Sequence, residues 1–323
     1  LYVYEHLTAT DIGRDRDSPE HAMYCEGFAM RQAIQEDLKK LAQVELVEDS
    51  TQAEAVIVIA PETGGLLEQI SSYWDRQGVW RLGPSIDTIR LTTDKQALAE
   101  HWQQFGVPTP PVHRGRPRSD DHYPLVWKPR DGCGSQATFA LSSWTQAVQV
   151  LTCAETDGLD MIVQPYVDGQ AVSVAFLCGP NSRIPLQPTF QHLSTDGRLR
   201  YLGGSLPLPL ELARRAVALG QRALAGLSGL VGYIGVDLVL GKAADGSEDY
   251  AIEINPRFTT SYVGLRVACR DNLAAVLLEI ARGGHAKSLN WRSDCIVFEA
   301  NGRWQRLPQT KLYDELRPED HLQ

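Results

Sequence analysis

Two apolar runs in this chain are broken by groups that buried strands do not ordinarily carry: Gly235-Val-Asp237-Leu-Val-Leu240 and Ala251-Ile-Glu253-Ile-Asn255-Pro-Arg257. A carboxylate among apolar neighbours is costly unless charge or hydrogen bonds compensate it. Residues two apart on a strand share a face, so Glu253 and Asn255 project together. If the two strands pair, Asp237 joins that face and completes an oxygen-rich set suited to Mg²⁺, with Mn²⁺ as a substitute. Arg257, two positions on, then falls beside whatever anion the metal holds. Taken singly, each of these residues also reads as a salt bridge at a strand edge.

Two further segments invite a nucleotide. Leu125-Val-Trp-Lys128-Pro-Arg-Asp-Gly132-Cys-Gly134-Ser135 places a lysine at a strand end before a glycine loop. Backbone N–H groups approach phosphate oxygens closely only where side chains are small, and the lysine adds a point charge. It is not a Walker A loop, because no Gly-Lys-Ser/Thr follows to open a helix. A hairpin turn that simply needs glycines is the alternative. Ile162-Val-Gln164-Pro165-Tyr-Val167-Asp168-Gly169 is an apolar strand emptying into a turn. Its free backbone edge and the Gln164 amide suit a purine edge, although a plain strand end explains it as well.

The elements that must position these groups follow from periodicity. Residues 1–6 read as a strand. Helical spacing of Phe28, Met30, Ala33, Ile34, Leu38 and Leu41 predicts a helix over residues 20–41, capped by Ser18-Pro19-Glu20. Residues 55–60 form a short β-branched apolar run, the pattern of a buried parallel strand. A second unit opens near Asp94-Lys95 with a helix to about residue 105. Strand 124–129, helix 142–152 and strand 161–167 then suggest a small βαβ-like lobe. Strands at 171–178, 231–240 and 251–254 and helices at 210–227 and 271–281 complete the body, with one or two strands in the last thirty residues.

The whole chain sets outer limits. Its 323 residues are enough for two or three lobes, and a net charge of −9 argues against a general nucleic-acid binder. No apolar run approaches the roughly 18 residues that span a bilayer. The opening Leu-Tyr-Val-Tyr-Glu-His lacks the pattern of a signal peptide. Six cysteines without CxxC or Cys/His ligand spacing favour free thiols in a reducing cytoplasm.

Taken in order, Asp94-Lys95, Lys128-Pro129 with its glycine loop, the Gln164-to-Gly169 hinge, Gly235-x-Asp237 and Glu253-x-Asn255-Pro-Arg257 resemble the ATP-grasp superfamily over residues 92–281. The resemblance implies an α/β chain: two α+β lobes gripping the nucleotide, preceded by an N-terminal α/β pre-ATP-grasp domain. The corresponding boundaries are 1–90, 91–168 for the small lobe and 169–323 for the large lobe. It further implies that Lys95 and Lys128 contact the phosphates of ATP and that the loop around Gly134 and Ser135 closes over them. Gln164, Pro165 and Val167 would meet the adenine, and Asp237, Glu253 and Asn255 would hold magnesium. The chain departs from the superfamily twice. Gln164 stands where a glutamate is usual, and no ribose-binding glutamate follows Gly169, leaving Asp168 as the substitute.

A narrower likeness lies in Thr259-Thr-Ser261-Tyr262-Val-Gly-Leu-Arg266, with Ala60-Pro-Glu62-Thr63 and Glu26-Gly-Phe-Ala-Met30 upstream. These segments are similar to the tyramine–glutamate ligases of methanofuran biosynthesis. That likeness implies an ATP-dependent ligase joining a glutamate-like acid to an amine through an acyl-phosphate, with Arg257 and Lys128 as catalytic groups. Ser261, Tyr262, Arg266, Glu26 and Glu62 would be substrate contacts, Arg266 offering bidentate recognition of a carboxylate. Capping and packing before the next helix is the competing account of Tyr262. Small-molecule acid and amine are the expected partners, and a homodimer is compatible with the chain. Two rivals remain: a carboxylating ATP-grasp enzyme that phosphorylates bicarbonate, and a nucleotide-binding sensor without turnover.

Overall fold

The computed structural model describes residues 1–153, 156, 158–285 and 288–308. Its N-terminal layer runs β1 (Tyr2–Glu5), α1 (His6–Thr10), α2 (His21–Leu38), β2 (Ala55–Ile59), α3 (Leu66–Arg76) and β3 (Trp80–Arg81). The three strands form a parallel sheet with β2 in the centre. Val56, Ile57, Val58 and Ile59 are all buried, as expected for a strand covered on both faces. Ile57 and Ile59 pack with Ala29, Met30, Ala33, Ile34 and Leu38 of α2, while Val56 and Val58 pack with Leu67 and Trp74 of α3. Two details of α2 differ from expectation. Ser18 and Pro19 precede the helix, which begins after Glu20 without a side-chain cap. Phe28 lies off the buried stripe, 48% exposed and stacked on Tyr24.

Next come α4 (Ile86–Thr93) and α5 (Lys95–Gln104), joined at Asp94, whose carboxylate accepts from Gln96 N–H and Ala97 N–H to cap α5. Leu98 and Trp102 of α5 are buried in the core of the C-terminal sheet, and the Trp102 indole donates to the Ala223 carbonyl.

The small lobe holds β4 (His113–Arg114), β5 (Leu125–Pro129), β6 (Phe139–Leu141), α6 (Trp144–Cys153) and β7 (Met161–Pro165). Its sheet order is β4-β7-β5-β6, and every pair is antiparallel. The expected βαβ-like arrangement is therefore not what forms. The glycine loop turns β5 back into β6 as a hairpin, so the chain leaves for α6 at the opposite end and returns antiparallel. Leu125 and Trp127 face the lobe's core with Phe139, Leu141 and Val163. By the two-residue period, Val126 and Lys128 face the other way, and Gln164, paired to Val126, joins them.

The large lobe contains β8 (Gln170–Cys178), β9 (Arg183–Pro185), β10 (Thr189–Leu193), β11 (Tyr201–Leu206), α7 (Leu210–Ala223), β12 (Gly232–Leu240), β13 (Tyr250–Asn255), α8 (Ser261–Ala268), α9 (Leu273–Ala281), β14 (Cys295–Glu299) and β15 (Trp304–Leu307). The sheet runs β13-β12-β8-β10-β11-β14-β15, with β9 paired to β8. Val172, Val174 and Phe176 of β8 and Ile234, Val236 and Leu238 of β12 pack with Ala216, Leu219 and Ala223 of α7. Ala175, Leu177 and Tyr233 point to the opposite face, toward α2, α8 and α9. Asp237 and Ser173 lie on that second face. Of the last thirty residues, β14 and β15 extend the sheet, and residues 309–323 lie outside those described. No helix of the described residues is long and apolar enough to cross a membrane.

Candidate active site

The face of β12 and β13 that turns away from α7 opposes the Lys128 face of the small lobe across a cavity of about 300 Å³. Gly235 lies opposite Asn255 and Asp237 opposite Glu253, so the two strands do pair. Asn255 Nδ2 donates to Asp237 Oδ2 at 3.0 Å, and Gln191 Nε2 donates to Asp237 Oδ1 at 3.0 Å. The Asn255 Oδ1 is thereby left to a cation. Burial, then the neighbouring Glu253 charge, pushes the Asp237 carboxyl up to about 7. Burial acts the same way on Glu253, but the Lys95 and Lys128 ammoniums more than offset it and hold that carboxyl low.

Lys128 is 7% exposed at the end of β5. Burial lowers its ammonium to about 8, partly resisted by the Glu253 and Asp237 charges. Lys95, in the first turn of α5, donates to the Gly132 carbonyl at 2.9 Å and lies 3.7 Å from Glu253. One ammonium thus links the glycine loop to the acidic strands. The loop itself is held on two sides: Ser135 Oγ donates to the Leu199 carbonyl at 2.8 Å, and Asp131 accepts from Gly64 N–H at 2.8 Å. Gly132 has φ of +123°, and a Cβ there would come 3.3 Å from Thr63 Oγ1, so the backbone lies close against the N-terminal layer.

At the far end, Gln164, Tyr166, Val167 and Gly169 line the cavity. Gly169 is tight because a Cβ would meet the Leu240 carbonyl oxygen at 2.4 Å, so the hinge packs directly on β12. Pro165 and Asp168 are not brought into the lining; both are exposed, and Asp168 pairs with Lys242 at 2.7 Å on the surface. At the near end Arg257 is gripped by the buried Glu62, Nε to Oε1 and Nη2 to Oε2 both at 2.9 Å. Arg257 Nη1 also donates to the Phe258 carbonyl at 3.0 Å. Burial opposes the arginine's charge, and Glu62 restores it, raising its pKa further.

The remaining expected substrate contacts divide. Ser261 lines the cavity, its hydroxyl shared with Tyr233 at 2.8 Å and Thr259 at 2.8 Å. Glu26 also lines it. Tyr262 and Arg266 are not brought there. The Tyr262 hydroxyl donates to Asp37 at 3.0 Å, and Arg266 grips Asp37 and pairs with Glu36 at 3.1 Å, joining α8 to α2. Gln191, Ser173 and Tyr201 also line the site. Ser173 was visible as a lone hydroxyl in an apolar strand, whereas Gln191 lies on a strand whose periodicity is too weak to show.

The arrangement fits a metal that comes with a nucleotide. Among the described residues no cluster of three or more His, Cys, Asp or Glu side chains is placed to hold an ion alone. Two carboxylates and an amide, facing two lysines, instead suit Mg²⁺ that keeps water and phosphate ligands.

Fold and cavity together fit a nucleotide-gripping architecture. Residues 92–261, more than half of the chain, match the family model described as ATP-grasp domain, and the chain belongs to that family. It is 26% identical over 225 residues to a tyramine–L-glutamate ligase of Methanocaldococcus fervens, covering 70% of this chain and 65% of that one. A tyramine–L-glutamate ligase of Methanocaldococcus jannaschii is 25% identical over 254 residues, covering 79% and 69%. The chain therefore spans about two thirds of the length of these relatives. An ATP-grasp superfamily protein from Archaeoglobus fulgidus superposes with a TM-score of 0.64 at 24% identity, covering 86% of each chain.

Proposed function

We propose that this protein is an ATP-dependent carboxylate–amine ligase, forming an amide through an acyl-phosphate, with a glutamate-like acid and a tyramine-like amine as substrates. One observation carries the reading: Lys95, Lys128 and the glycine loop face Asp237, Glu253 and Asn255 across one cavity. The likeness to tyramine–glutamate ligases supports the choice of acid and amine.

In this reading Gln164 and the Val167 backbone orient the adenine, and Lys95 and Lys128 neutralise the β- and γ-phosphates. Asp237, Glu253 and Asn255 would hold Mg²⁺, which when bound would supply charge stabilisation to the transferring phosphoryl group. A substrate carboxylate oxygen attacks the γ-phosphorus, and ADP leaves. Arg257, fixed by Glu62, steadies the acyl-phosphate and then the tetrahedral oxyanion as nitrogen attacks. The glycine loop, closed on Gly64 and Leu199, keeps water from the mixed anhydride.

The test is ADP release with ATP, Mg²⁺, L-glutamate and tyramine, with mass detection of the amide. Both acid and amine should be needed for amide. ADP release driven by bicarbonate without amine would favour a carboxylase, and nucleotide binding without turnover across acids and amines would favour a sensor.

A further inference from the structure

Among the described residues the carboxylates around this cavity are committed, with one exception. Asp237 accepts from Asn255 and Gln191, Glu253 faces Lys95, Glu62 is gripped by Arg257, and Asp131 accepts from Gly64. Glu26, on α2, lines the same cavity and makes no hydrogen bond or ion pair of its own among the described residues. Half-buried and facing the cavity without a protein partner, the Glu26 carboxylate is placed to meet a donor or cation that enters with a substrate.

Its surroundings narrow the choice. The groups whose ionisation feels Glu26 are Arg257 beyond β13, Cys133 of the glycine loop and Tyr201 at the start of β11. Burial pushes the Cys133 thiol up to about 12 and the Tyr201 phenol well above its ordinary value, so both are neutral near pH 7. Arg257 alone is charged, and Glu62 holds it. Lys95 is occupied with Gly132 and Glu253. Among the described residues no cation pairs with Glu26, while the Arg257 charge that it feels places it near the group proposed to steady the acyl-phosphate.

On the ligase reading, we infer that Glu26 receives the ammonium of the amine substrate and takes the proton that the nitrogen must lose before it attacks. The amine arrives as an ammonium, and one proton passes to the Glu26 carboxylate. The freed lone pair forms the C–N bond at the acyl carbon. The C–O bond to phosphate then breaks with its electron pair, and a second nitrogen proton leaves with the departing phosphate. A base suits this step when its pKa lies near the working pH. Burial raises Glu26 to about 7, with Arg257 limiting the rise.

The experiment separates the half-reactions in the full-length protein. Hydroxylamine, neutral at pH 7, traps the acyl-phosphate as a hydroxamate and needs no proton acceptor. Glu26→Gln should form hydroxamate from ATP and L-glutamate as the wild type does. Its kcat/KM for tyramine should fall by about a hundredfold or more at pH 7. The deficit should shrink as rising pH supplies free amine, and Glu26→Asp should recover part of it. Wild-type-like amide formation by Glu26→Gln would overturn the inference. So would an equal loss of hydroxamate and amide, which would assign Glu26 to the acid or to the fold. A wild-type protein that makes no hydroxamate would remove the ligase reading itself, and this inference with it.

Discussion

Arg266 donates through Nε and Nη2 to the two carboxylate oxygens of Asp37, at 2.9 and 2.7 Å. Asp37 is 5% exposed, and although burial alone would raise its carboxyl, the Arg266 contacts, helped by Lys40, hold it low. The bidentate grip expected for a substrate carboxylate is thus used within the fold, to bind α8 to α2. Without Arg266 the buried Asp37 charge keeps only the exposed Lys40 ammonium and the Tyr262 hydroxyl. Arg266→Ala should therefore cost about 3–5 kcal/mol of stability, read by chemical denaturation. The folded fraction should keep its KM for the acid; a selective rise in that KM would return Arg266 to the substrate.

Glu253 faces Asp237 across β12 and β13 and lies near Lys95. Glu253→Gln should reduce ADP formation by more than about a hundredfold, because metal-borne charge stabilisation is worth several kcal/mol. Circular dichroism should show the fold retained. Turnover near the wild-type level in this variant would refute the metal assignment.

Lys128 has a pH dependence with a definite sign. Its folded pKa, about 8, lies below the ordinary 10.5, so the folded state binds fewer protons between those values. Stability from this group is therefore present above pH 10.5 and is lost as pH falls through 8. Lys128→Met should raise the unfolding free energy at pH 7 by about 1–3 kcal/mol while weakening ATP binding. Phosphate should restore the ammonium, so ATP binding near pH 8.5 should take up a proton. Calorimetry in buffers of different ionisation enthalpy measures that uptake, and Lys128→Met should abolish it.

Asp131 joins the glycine loop to the Gly64 N–H of the N-terminal layer. Asp131→Ala should loosen the loop and admit water to the acyl-phosphate. The expected result is more phosphate released per amide formed, with the fold unchanged. Tight coupling in this variant would show that the loop is held shut by other contacts.

Legibility from sequence followed the range of the forces involved. Alternation along a strand is local, so Asp237 and the Glu253-x-Asn255 pair were readable as one face once pairing was assumed. The strand Ala55–Ile59 was equally plain, because a β-branched run bounded by turn residues has few other ways to bury itself. The strands Thr189–Leu193 and Tyr201–Leu206 were not seen, since their polar and glycine residues gain strand character only from neighbours across the sheet.

The sequence alone determined the family, the acidic strand pair, the strand lysine with its glycine loop, and the helix–strand order of most of the chain. Each rests on spacing within a few residues, which backbone geometry converts directly into a shared face or a turn. Tertiary structure decided the rest. It made the small lobe antiparallel, buried α5 in the large-lobe core, spent Arg266 and Tyr262 on Asp37, put Asp168 on the surface, and left Glu26 unpaired in the cavity. Whether a charge is satisfied depends on partners that can lie more than two hundred residues away, as Asp37 and Arg266 do, and no local pattern carries that information.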